Sequence, residues 1–104
     1  MLVVTRFQVP EDRRDAFTVQ ADAAVGVLSS REGLASIDLV QNLDDPDLWC
    51  LVTRWADVGS YRRALSGFES KMTVVPLLSL AIDEPSAYDD PADVGPNIPR
   101  DLGR

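Results

Sequence analysis

The chain has 104 residues, 45% of them hydrophobic, and a net charge of −7 from 17 acidic against 10 basic side chains. That length holds a single domain with a core of ordinary size, and an acidic surface without a basic stripe excludes a nucleic-acid partner. Histidine is absent and Cys50 is the only cysteine, which excludes imidazole triads, histidine zinc sites, histidine-ligated haem and an internal disulfide.

The first segment, "LVVTRFQV", sets Val3, Thr5, Phe7 and Val9 against Leu2, Val4, Arg6 and Gln8. This period of two, rich in β-branched residues, predicts a strand. It enters directly from Met1, without a basic-then-apolar leader, and no run reaches the ~18 apolar residues of a membrane span. A cytoplasmic location is the expectation. "PEDRRDAF" opens a helix: Pro10 suits the N-terminal flank, and Glu11 and Asp12 complement the positive end of the helix dipole. Phe17, Ala21, Ala24, Val25 and Leu28 form its apolar stripe, and Gly33 is the stop.

"LASIDLVQN" alternates again, with Ile37 and Leu39 opposed to Ser36 and Asp38. "LDDPD" is a turn; it and "EDRRD" read as solvated charge rather than as a metal cage. "LWCLVTRW" is the third strand, with Cys50 as a buried small hydrophobe. A second helix is predicted from Asp57 to Phe68, capped by Asp57 or Ser60. Its inward stripe is Tyr61, Ala64, Leu65 and Phe68. After Pro76, "LLSLAID" supplies a fourth strand with Leu78, Leu80 and Ile82 on one face.

The order β-α-β-β-α-β predicts an α+β, ferredoxin-like domain over residues 1–88, a four-stranded antiparallel sheet with two helices on one face. The other face would carry Leu2, Val4, Val40, Leu48, Cys50 and Val52. That is too apolar for water and predicts a homodimer packed sheet against sheet. Residues 89–104, rich in proline and aspartate, read as an extended or disordered tail, with docking on a partner or on the dimer mate as the alternative.

With "TRW" closing the third strand and "YRRAL" opening the second helix, the stretch from Met1 to Tyr88 resembles the antibiotic biosynthesis monooxygenase family. The resemblance implies a dimeric α+β barrel, in some members oxygenating aromatic phenols or anthrones without metal, flavin or haem. In one such oxygenase a tryptophan and a tyrosine six positions later line the substrate pocket; Trp55 and Tyr61 have that spacing here. The asparagine it uses four positions before the tryptophan is Leu51 in this chain, and its arginine falls on Val75. A haem-degrading branch needs a histidine where Ala64 stands and an asparagine in the first strand, which has none.

Strand parity sets Trp49, Leu51, Thr53 and Trp55 on one face. Were that the helix-covered face, Trp55 and Tyr61 would converge as the catalytic pair, with Phe7, Phe17, Leu51 and Phe68 walling a substrate pocket and no cofactor or metal bound. A general base is missing: Asp38 and Asp83 alternate with apolar neighbours, and Arg6 and Arg54 share the opposite parity. Two readings follow, a cofactor-free monooxygenase acting on an aromatic or quinol-like molecule, and a non-catalytic dimeric binding or structural module. A third is an accessory protein whose acidic tail recruits a partner. A cavity beside Trp55 separates the first from a sealed core.

Overall fold

The computed structural model describes residues 1–94. β1 (Leu2–Gln8) leads through a 3₁₀ turn (Glu11–Arg13) into α1 (Arg14–Ser29), followed by β2 (Leu34–Gln41) and β3 (Leu48–Trp55). Two helices follow, α2 (Val58–Ala64) and α3 (Phe68–Leu78), then a short β4 (Ala87–Tyr88) and one helical turn, α4 (Pro91–Val94). The strands form one antiparallel sheet in the order β2-β3-β1-β4, the ferredoxin-like arrangement with helices on one face.

Inward parity is what the alternation dictates. Val3, Thr5, Phe7 and Val9 are buried, as are Leu51, Thr53 and Trp55, beneath Phe17, Ala21, Ala24 and Leu28 of α1. The register sets Val3 opposite Thr53 and Thr5 opposite Leu51. On the outer face Leu2, Val4, Leu48, Cys50 and Val52 are half-buried and Val40 is exposed. Cys50 is therefore not the buried residue expected; it lies between Val40 and Arg6 on the uncovered face.

Gly33 takes φ +92°, a left-handed backbone open chiefly to glycine. Any Cβ there would lie 2.5 Å from Ser60 Cβ, so the turn after α1 and the start of α2 meet only because residue 33 has no side chain. The Ala56 N–H donates to Gly33 C=O at 2.8 Å and completes the junction.

Two expected elements are corrected as well. The helix predicted to run to Phe68 ends at Ala64, because Gly67, at φ +91°, breaks it and starts α3 in a new direction. "LLSLAID" is not the fourth strand. Ser70, Val74 and Leu77 are all fully buried at helical spacing, so α3 runs on through Pro76 to Leu78. Proline there lacks an N–H for the carbonyl of Met72, a residue on the exposed side of the helix. The edge strand comes later, pairing Leu2 with Tyr88 and Val3 with Ala87. Between α3 and β4 the chain touches β1 through Ile82 N–H to Arg6 C=O (2.9 Å), and Val4 N–H reaches Ser86 C=O (2.8 Å).

Asp89 and Asp90 hold the start of the predicted tail: Asp89 lies 3.7 Å from the Met1 ammonium, and Asp90 Oδ1 accepts the Ala92 N–H at 2.8 Å. Residues 95–104 of that stretch lie outside the described residues. Among the described residues no helix is long and apolar enough to cross a membrane.

Candidate functional site

The end of β3 and the start of α2 build the site. Asp57 caps α2, its Oδ1 accepting the Ser60 N–H at 2.7 Å. That hydrogen bond holds its carboxyl below the usual range. The cap fixes where α2 begins, and one turn on Tyr61 lies over Trp55, ring centroids 6.0 Å apart and planes tilted by 55°. Trp55 is buried and Tyr61 half-buried.

Beside this pair lies a cavity of about 370 Å³ between β1, β3, α2, the end of α3 and the segment 79–86. Leu28, Leu51, Leu65 and Leu78 give it apolar walls, while Thr5, Thr53 and Tyr61 bring hydroxyls. Trp55 Nε1 donates to Thr53 Oγ1 at 2.8 Å, so the indole N–H is committed within the protein. Burial pushes the Tyr61 phenol above its ordinary pKa, which keeps it protonated and able to donate at neutral pH. At the rim, Arg6 forms a two-pronged pair with Glu84 (Nε to Oε2 2.7 Å; N–H of the second prong to Oε1 2.8 Å). The guanidinium holds the Glu84 carboxyl below its usual range. Asp83 also lines the cavity but is exposed.

The structure brings Trp55, Tyr61 and Leu51 together at this cavity. Phe7 and Phe17 are elsewhere: their rings lie 5.2 Å apart, Phe17 packs on Trp49 at 5.6 Å, and both line a separate cleft of about 190 Å³ with Arg13 and Leu80. Parity had set the face correctly but says nothing of position along the strand. Phe68 is 80% exposed, carried off the inward stripe by the Gly67 turn. Val75 faces solvent on α3, and Ala64 is buried. Asp38 is exposed on the outer face, as is Arg54. Among the described residues no three metal-ligating side chains gather.

Sequence reasoning passed over Thr5 and Thr53 as chemical groups. The signal was present, since two hydroxyls stood at inward parity among Val3, Phe7, Leu51 and Trp55.

The sequence profile of the antibiotic biosynthesis monooxygenase family matches residues 1–72. This chain belongs to that family. The match spans β1 through the first part of α3, and so includes Trp55, Tyr61 and most of the cavity wall. Solved structures share the fold of this antibiotic biosynthesis monooxygenase family member. A conserved protein from Methanosarcina mazei Go1 is 23% identical, with 83% of this chain and 84% of that one covered at a TM-score of 0.69. SnoaB, a cofactor-independent oxygenase from Streptomyces nogalater, is 20% identical over 78% of this chain and 82% of its own, TM-score 0.67. Rv0793 from Mycobacterium tuberculosis is 20% identical over 86% and 96%, TM-score 0.66. At these identities the likeness is one of fold. No curated protein sequence matches the chain.

Proposed function

We propose that this chain is a monooxygenase without a resident cofactor, acting on an aromatic, quinol-like small molecule in the cavity beside Trp55 and Tyr61, as a cytoplasmic homodimer. The observation that carries this reading is the cavity itself. Its volume of about 370 Å³ lies near the lower end of the roughly 300–1,000 Å³ of ligand pockets, and its lining sets a few hydroxyls among apolar walls, as such pockets do. Family membership supports oxygenase chemistry, and the shared fold of a cofactor-independent oxygenase supports its running without a bound group.

An electron-rich phenol or anthrone can reduce dioxygen itself. One oxygen atom stays on the substrate as a carbonyl, the other leaves as water, and the substrate supplies both reducing equivalents. The protein's tasks are to orient the ring, exclude bulk water and stabilise the ionised oxygen. Trp55 and Leu51 wall the ring plane, and the protonated Tyr61 donates to a substrate oxygen. The apolar outer face, Leu2, Val4, Val40, Leu48, Cys50 and Val52, supports a second copy packing there.

A second reading, a binding module without turnover, is favoured by one observation: among the described residues the carboxylates at the cavity are Glu84, tied to Arg6, and the exposed Asp83. Oxygen uptake with a panel of anthrones and dihydroxynaphthalenes, metal-free, separates the two. The monooxygenase reading expects uptake by the wild type that falls at least about tenfold in Tyr61→Phe, the loss of one oriented donor. Binding of the panel with uptake at the buffer rate would leave the binding module.

A further inference from the structure

Thr53 is 4% exposed and lines the cavity. Its hydroxyl oxygen already accepts the Trp55 indole N–H, and an indole N–H is a donor only. The Thr53 proton therefore cannot point at Trp55. Among the described residues no acceptor takes it, and the open direction is the cavity. Thr5, its diagonal neighbour on the same sheet face, also lines the cavity and makes no side-chain hydrogen bond among the described residues. Tyr61 also lines the cavity, and its OH makes no hydrogen bond among the described residues. Three hydroxyls thus offer protons to one space, with no carboxylate or carbonyl of their own to take them.

Resting on the reading above, we propose that Thr53 is a ligand-contact residue, donating its hydroxyl proton to a phenolate or carbonyl oxygen of the bound ring, and that Trp55 is the positioning residue that aims it. Thr5 and Tyr61 complete a donor set for that oxygen. The arrangement stabilises an anion on the ligand without a protein cation, because Arg6 is neutralised by Glu84. It also answers how a cavity without a free base promotes ionisation: hydrogen bonds to the charged form lower the ligand's own pKa. The indole N–H then acts one bond removed from the ligand, by holding the Thr53 hydroxyl in a single orientation.

The test is the pKa of 4-nitrophenol bound to the full-length protein, read from its phenolate absorption. Thr53→Val keeps the shape and removes the hydroxyl. It should raise the bound pKa by about one unit, a tenfold loss of preference for the phenolate, and Thr53→Ser should restore it. Trp55→Phe should raise it by less, and Thr53→Val combined with Trp55→Phe no further than Thr53→Val alone, since one acts through the other. The double variant leaves no orphaned indole N–H, so a folded protein is available even where the single variant melts early. A purely structural role would weaken binding without moving the bound pKa. Bound nitrophenol with an unmoved pKa in Thr53→Val, or additive effects in the double variant, overturns this assignment alone. No binding to the wild type overturns both it and the cavity reading.

Discussion

The Gly33–Ser60 junction gives the sharpest test of how the fold positions the site. Gly33→Ala meets two penalties that the structure separates. The backbone is held at φ +92°, which costs an L-residue about 1–2 kcal/mol. The new Cβ would also fall 2.5 Å from Ser60 Cβ, an overlap only backbone movement relieves, at about 1–3 kcal/mol. The sum is about 2–5 kcal/mol, and at about 4–8 °C per kcal/mol for a chain of this size Tm should fall by at least about 8 °C. Ser60→Gly in the Gly33→Ala background removes the overlap and leaves the strain, so it should recover part of the loss. Urea unfolding of the four proteins in this cycle gives each contribution, the coupling being the recovered part. Because Ser60 sits one residue before Tyr61, the single variant should also weaken aromatic binding. A Gly33→Ala protein within about 0.5 kcal/mol of wild type would refute the close approach and the account of α2 placement built on it.

Other outcomes follow from the same geometry. Gly67→Ala keeps the left-handed penalty but meets open space, so it should cost only about 1–2 kcal/mol in the same urea assay. Ser70→Ala removes a fully buried hydroxyl that donates to Ala64 C=O and accepts from Arg31; the orphaned groups should cost about 1–3 kcal/mol. Phe68→Ser, at an 80% exposed side chain, should stay within about 0.5 kcal/mol of wild type and leave aromatic binding unchanged. The folded-state pKa values of Glu84 and Asp57 are depressed. Their stabilisation is therefore present above the ordinary carboxylate range of about 4–4.5 and lost as pH falls through the depressed values. Tm should hold at mildly acidic pH and drop below that range, and the drop should shrink in Glu84→Gln.

Much of this was legible in the sequence because burial on one face imposes a period. β1, α1 and β3 show clean periods of two or 3.6, and parity alone put Thr53 and Trp55 on the covered face. The misreadings have physical causes. Leu78, Leu80 and Ile82 alternate by chance across the end of α3, while the helical spacing of Ser70, Val74 and Leu77 was hidden by a small polar residue at its start and by Pro76. Gly67 was a stop signal inside an otherwise continuous stripe, and reading through it put Phe68 in the pocket. Trp55 and Tyr61 were found through local spacing, since a strand end and the next helix are neighbours in the chain. Phe7 and Phe17 share the correct face but lie at the other end of β1, a distance that period cannot measure.

The proposed function requires an aromatic ligand to enter the cavity beside Trp55. The chain's two tryptophans report on it separately, for Trp55 lines the cavity and Trp49 packs on Phe17 away from it. The most direct measurement is a titration of ¹⁵N-labelled protein with anthrone, following the two indole N–H resonances by NMR. Entry beside Trp55 should give a saturable shift of the Trp55 resonance with Trp49 unmoved. A shift of Trp49 alone, or of neither at ligand saturation, would contradict it.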